Sequence, residues 1–230
     1  MILPVFTLFL EPENPCQFSP DRLRSFFRKK SEHYTFIHKQ SPEHFIHRYP
    51  VIQCKWIKNR ILVIGIGQGA DLLQEISGHG EDIIAGTDRF IICGRDQDIR
   101  HETFCMSDKT CSYEFLTPWL ALNQQNARKF YNLKGKQERD AFMQKILAGN
   151  LTTLAKSLDY ALPATLMCVS RVRFRRERIH DENVMVFVGS FETNLIIPDY
   201  LGIGQSISQG FGTIRSVSGN LGPEKEGVFL

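Results

Sequence analysis

Residues 49–67 read YPVIQCKWIKNRILVIGIG: two apolar stretches with only Lys58 and Asn59 between them. A link of two polar residues fits a tight turn, so 49–57 and 60–67 are expected to pair as an antiparallel hairpin. What flanks the hairpin narrows the fold. Residues 2–10 read as a buried strand. Ser19 is placed to cap a helix beginning at Pro20, where proline's missing N–H is not needed. Leu23, Phe26 and Phe27 give that helix an apolar side, and Arg22, Arg24, Arg28, Lys29 and Lys30 charge the rest. Beyond the hairpin, GADLLQEIS (about 69–77) reads as a short helix and about 88–94 as a strand. The resulting order, β-α-β-β-α-β, is the ferredoxin-like pattern.

The length, 230 residues, allows a second unit of similar size. An amphipathic helix around 136–161 places Met143, Leu147, Leu151, Leu154 and Leu158 on one face and stops before Pro163. A hairpin follows, about 166–178 and 184–193, joined by the turn HDEN at 180–183. After a glycine-rich segment comes a short strand near 212–217, and the last residues read as a loosely held tail. The fold class expected is α+β, two tandem ferredoxin-like domains, divided as 1–109 and 110–230.

Composition excludes several classes. Six cysteines are scattered without a C-x-x-C pair, which argues against zinc fingers and thioredoxin-like chemistry and fits reduced thiols in the cytoplasm. The opening MILPVFTLFL lacks a basic flank, and Glu11 and Glu13 stand where a signal cleavage site would be. No apolar run reaches the ~18–20 residues that span a bilayer, so no membrane partner is expected. The net charge of +3 is mildly basic and decides nothing until its distribution is considered.

That distribution is uneven. In VSRVRFR (169–175), strand alternation sends Arg171, Arg173 and Arg175 to one face, about 6.8 Å apart, with Val172 and Phe174 opposite. Arg176 and Arg178 extend the run. A solvated hairpin face is the plain alternative, but only Glu177 interrupts the arginines, which favours a polyanion partner. A second cluster, HYTFIHKQSPEHFIHRYP (33–50), holds His33, His38, His44 and His47 beside Tyr34, Tyr49, Lys39 and Arg48. Histidines near neutrality can share acid and base roles in attack by an RNA 2′-hydroxyl on its own phosphodiester, and cations can stabilise the charge on phosphorus. Metal ligation by these histidines is the rival; apart from Glu43 no carboxylate accompanies their spacing. GIGQG at 65–69 is not in G-x-G-x-x-G register, and 202–212 lacks a Walker lysine, so neither reads as a nucleotide cradle.

The segment GIGQSISQGFGTIRS (202–216) crowds Gly202, Gly204, Gly210 and Gly212 around Ser206, Ser208 and Phe211, with Arg215 just beyond. Together with HRYPVIQCKWIKNRILVIGIGQGADLL (47–73), FLTPWLALNQQNARKFY and the helix DAFMQKILAGNL (115–151), it resembles the CRISPR repeat-RNA-processing endoribonucleases: the sixth-numbered Cas family, b subtype, of the repeat-associated RNA-binding (RAMP) superfamily. The resemblance covers most of the chain. It implies metal-independent cleavage of CRISPR repeat RNA, without a cofactor, leaving a 2′,3′-cyclic phosphate and a 5′-hydroxyl. By position after the first helix, His38 would be the base. In a similar member of the family a second histidine lies two residues on, where this chain has Gln40, so His47, His44 or Tyr49 would serve as acid. Lys30, Lys39 and Arg48 would contact phosphate; the arginine strand, the four loop glycines, Ser206, Ser208 and Arg215 would contact RNA, the glycines by letting its backbone approach. A homodimer and attachment to CRISPR effector proteins stay open at this point, as does a non-catalytic RNA-binding subunit on the same scaffold.

Overall fold

The computed structural model describes residues 1–13, 26, 49–77, 83–85, 88–179 and 182–217. The expected hairpin is present as β2 (Ile52–Ile57) and β3 (Arg60–Ile66), and Lys58 and Asn59 both take positive φ, 47° and 63°, as a tight two-residue hairpin turn requires. β1 (Ile2–Pro12) pairs antiparallel with β3 on one side and with β6 (Ile92–Thr103) on the other. The sheet order is therefore β2-β3-β1-β6. Helix α1 (Gln68–Ser77) follows β3, and β4 (Ile83–Ala85) and β5 (Asp88–Phe90) form a small separate hairpin. The capped helix expected from Pro20 lies outside the described residues, apart from Phe26, which is helical and packs on this domain's core.

β1 and β3, in the middle of the first sheet, are buried on both faces, which is why they read as nearly continuous apolar runs. Phe6, Leu8 and Leu10 meet Ile61 and Val63 under Ala70, Leu73 and Ile76 of α1. Leu3, Val5, Ile64 and Ile66 point the other way, into a core shared with the second half of the chain.

The second sheet contains β7 (Cys105–Phe115), β8 (Cys168–Ile179), β9 (Glu182–Ile196) and β10 (Ile214–Ser216), in the order β10-β7-β9-β8. With the four strands of each sheet counted in chain order, both sheets have order 4-1-3-2 and all-antiparallel pairing, so the chain is two tandem ferredoxin-like domains, α+β. Phe104, fully buried, is the single residue between β6 and β7. The second sheet thus begins at Cys105, five residues ahead of the division expected at 110.

Helices α2 (Gln124–Asn132) and α3 (Lys136–Ser157) bridge β7 to β8. Asn123 caps α2 by accepting from the Asn126 N–H at 2.9 Å. Met143, Leu147, Leu151 and Leu154 are buried along α3, as their spacing predicts, against Phe115, Trp119, Phe187 and Phe191 of the shared core. In the first domain the third strand is followed by a helix. In the second, β9 runs instead into the glycine-rich segment, with one 3-10 turn at Ile207–Gln209. No helix among the described residues is long and apolar enough to cross a membrane.

Candidate nucleic-acid interface

The glycine-rich segment is seated on β2, the outer strand of the first sheet. Tyr49 Oη donates to the Gly202 carbonyl at 2.9 Å and accepts from the Gly202 N–H at 3.0 Å. Gln53 Oε1 accepts from the same N–H at 3.1 Å, while its amide nitrogen donates to the Pro50 carbonyl at 3.1 Å. Lys55 Nζ donates to Thr213 Oγ1 at 3.2 Å, and Thr213 Oγ1 donates onward to the Gly210 carbonyl at 3.0 Å. Thr117 closes the far side: its hydroxyl donates to Gly210 O at 2.6 Å and accepts from Thr213 N at 2.9 Å. Gln53, Lys55 and Thr213 are all buried.

Burial dominates the ionisation of both titratable members. It pushes the Tyr49 phenol well above its ordinary value, outweighing the opposing bonds from Gln53 and Gly202. It lowers the Lys55 ammonium from 10.5 to about 7, against a weaker upward pull from Cys54. Tyr49, expected as one of three candidate acids, therefore holds its proton in a bond to a backbone carbonyl.

The glycines have a nearer use than making room for RNA. At Gly204 (φ 98°) a Cβ would lie 2.5 Å from Trp119 Nε1 and 2.7 Å from the Leu120 carbonyl oxygen. At Gly212 (φ 63°) it would overlap the Ile203 carbonyl. The segment folds back on protein at these points, and what it turns outward is Gln205 and Ser206, with Ser208 and Phe211 partly exposed.

The arginine strand is β8, the edge strand of the second sheet, and Arg171, Arg173 and Arg175 are exposed on one face as alternation predicts. Phe174 turns to the helix side, its ring 5.7 Å from that of Phe130 in α2. Arg176 and Arg178 share that parity, so they do not extend the stripe; Arg176 reaches Tyr131 Oη at 3.5 Å. Acidic partners are less scarce than the sequence suggests. Arg171 pairs with Glu192 at 3.0 Å and Arg175 with Glu177. Arg173 has no carboxylate partner among the described residues.

Register ties the stripe to the glycine-rich segment. Arg215 stands opposite Glu114, Glu114 opposite Ser190, and Ser190 opposite Arg171, a row across all four strands on one face. Arg215 Nε donates to Glu114 Oε1 at 3.1 Å. The exit of the segment and the arginine stripe therefore present to the same side. His38, His44, His47, Lys30, Lys39 and Arg48 lie outside the described residues; of the seven histidines, only His101 lies among them.

Comparison with known proteins matches residues 1–103 to the Cas6b N-terminal domain and residues 105–217 to the Cas6b C-terminal domain. The chain belongs to the Cas6b family. A crystal structure of Cas6b superposes with a TM-score of 0.80 at 30% identity, covering 94% of this chain and 100% of the other. That of a CRISPR RNA processing endoribonuclease Cas6b gives 0.72 at 29% identity, with 94% and 100% covered. An uncharacterized protein of Methanocaldococcus jannaschii is 33% identical over 122 residues, 52% of this chain and 81% of its own length. The family's two domain matches meet at Phe104, where the structure passes from one sheet to the next. Sequence alone does not single out Gln53, Lys55 and Thr213, because polar residues inside a strand-like run do not announce which surface will cover them.

Proposed function

We propose that this protein is a metal-independent endoribonuclease that cuts CRISPR repeat RNA into its mature form. One observation carries the reading beyond family membership. Tyr49, the first described residue after the histidine-rich segment, is bonded to Gly202 at the start of the glycine-rich segment. The chain that bears His38, His44 and His47 thus ends on the connection whose exit, through Arg215, shares a face with Arg171, Arg173 and Arg175.

In this mechanism His38 removes the proton from a ribose 2′-hydroxyl, whose oxygen attacks the adjacent phosphorus. The P–O5′ bond breaks, and His47 or His44 gives a proton to the departing 5′-oxygen. The products are a 2′,3′-cyclic phosphate and a 5′-hydroxyl. The Tyr49 hydroxyl is held against Gly202 and serves another purpose. Lys30, Lys39 and Arg48 stabilise the charge developing on phosphorus. The arginine stripe, Arg215, Ser206 and Ser208 hold the RNA strand, and the glycines let the segment fold onto protein so that Ser206 is turned outward. The setting is the cytoplasm. A homodimer, or retention on product within an effector complex, is decided by the mass of the RNA-bound species.

The test is cleavage of repeat RNA in EDTA by the wild type and His38→Ala. The expected result is cutting without metal, slowed about 10²–10⁴-fold in the variant at nearly unchanged affinity. A 2′-deoxy substitution at the scissile nucleotide should block cutting. RNA that binds tightly and stays intact with the wild type would instead make the protein a non-catalytic RNA-binding subunit, and metal-dependent cutting would overturn the mechanism.

A further inference from the structure

We infer that Tyr49 and Gln53 are positioning residues for RNA cleavage: by holding both the N–H and the carbonyl of Gly202, they fix the start of the glycine-rich segment against the first domain. The inference rests on the endoribonuclease reading above. Its support is geometric. Gly202 lies inside an interface between the edge strand of one sheet and the irregular connection of the other, and two side chains from the same short stretch converge on its single peptide N–H at 3.0 and 3.1 Å. Tyr49 Oη also reaches the Gly202 carbonyl at 2.9 Å, so one hydroxyl satisfies both polar groups of one residue. Gln53 is itself oriented by the Pro50 carbonyl.

A purely structural account explains this less well. The bridge between Gly202 and Thr213 is closed by Ile203 N–H to the Gly212 carbonyl at 2.9 Å and Ile214 N–H to the Leu201 carbonyl at 3.0 Å, without Gly202's own polar groups, and the two domains share an extensive apolar core through Leu3, Val5, Ile64 and Ile66. The domains therefore stay together without the two side chains. What the clamp adds is angular and positional definition at one residue, and about 1 Å of misplacement in a catalytic arrangement can cost far more rate than stability. The sequence places the clamp at the exit of the histidine-rich segment, so loosening it alters the register between the proton-transfer groups and an RNA strand lying on the glycine-rich segment.

The experiment compares Tyr49→Phe, Gln53→Met and the double variant by single-turnover cleavage of repeat RNA, by RNA affinity, by thermal unfolding, and with an RNA carrying a 5′-bridging phosphorothiolate at the scissile position. A sulfur leaving group departs without a proton donor. Each single variant is expected to lose about tenfold in rate with affinity nearly unchanged, and to unfold several degrees lower because a buried polar group loses a partner, so the rates are compared well below the unfolding transition. The double variant should lose less than the product of the two, because both act through Gly202. The phosphorothiolate should not restore the rate of Tyr49→Phe, and the pH dependence of its cleavage should keep the wild-type shape. Full rescue by the sulfur substrate would make Tyr49 the acid and overturn the inference. So would an unchanged rate, or a loss of affinity equal to the loss of rate. If the wild type itself leaves the RNA intact, the endoribonuclease reading fails instead, a result distinct from each of these.

Discussion

Lys55 of the first domain donates its ammonium proton to the Thr213 hydroxyl of the second, at 3.2 Å and 158 positions apart in the chain. Both residues are buried, and the ammonium has an oxygen where an ion pair would have a carboxylate. Removing a charge from water without an opposite charge is costly, which is why the group releases its proton far more readily than a solvated lysine does.

The consequence for stability has a definite sign. Folding lowers the Lys55 value from 10.5 to about 7. Between those values the unfolded chain holds a proton that the folded protein has given up, so stability rises with pH through that window. Below about 7 the ammonium is charged in both states and the full burial cost is present. One group contributes at most about 1.4 kcal/mol per pH unit. Lys55→Met keeps the length of the side chain and removes the charge. It is expected to raise stability at about pH 6 to 7 and to flatten the rise between about pH 7 and 9, measured by denaturant unfolding at several pH values. An unchanged slope would locate the proton release elsewhere.

The three stripe arginines are not equivalent. Glu192 engages Arg171 and Glu177 engages Arg175, whereas Arg173 lacks such a partner among the described residues. An arginine already neutralised gains less from a phosphate, because its carboxylate must first be displaced. Arg173→Ala is therefore expected to reduce RNA affinity more than Arg171→Ala. Removing one cation from a phosphate should flatten the dependence of log K on log salt by about 0.7–0.9. Glu192→Gln should tighten binding by freeing Arg171. Titrations across a salt series measure all three; equal losses at 171 and 173 would mean that Glu192 does not blunt Arg171, and no loss at either would show that the RNA passes elsewhere.

Legibility follows burial. The β2–β3 hairpin, the α3 stripe and the β8–β9 hairpin can be read because apolar residues recur there at the period of the element. β6 is legible only as far as residue 94, since RDQDIRHET carries no apolar face: it is bonded to β1 on one side and largely exposed. The start of β7 escapes a sequence reading because its register with β9 shifts between Met106 and Cys111, and the intervening SDKT reads as a loop. Alternation assigns the arginines of β8 correctly up to Arg175, but charge alone cannot tell that Arg176 and Arg178 turn to the other side. Of the candidate site, the glycine-rich segment is visible from composition. Its attachment is not, because Tyr49, Gln53 and Lys55 meet it only through tertiary folding.

The glycines of that segment allow a last separation of roles. If their purpose were only to admit RNA, a methyl group there would weaken binding and leave the fold intact. The geometry predicts the reverse order of effects. A Cβ at Gly204 would press on Trp119 Nε1, which donates to Asn150 Oδ1 at 3.1 Å, and one at Gly212 would overlap the Ile203 carbonyl. Both positions also carry positive φ, which costs a residue with a side chain on the order of 1–2 kcal/mol before any clash is counted. Gly204→Ala and Gly212→Ala are each expected to destabilise the protein by about 2–4 kcal/mol, strain and overpacking together. Gly149 supplies the internal control: it lies inside α3, and a Cβ there meets nothing within 4 Å. Gly149→Ala should stabilise by about 0.5–1 kcal/mol, as a glycine in a helix interior does when given a methyl group. Thermal or denaturant unfolding of the three variants, without RNA, reads both signs. Near-neutral values at 204 and 212 would mean that the segment does not pack on Trp119 and Ile203 in solution.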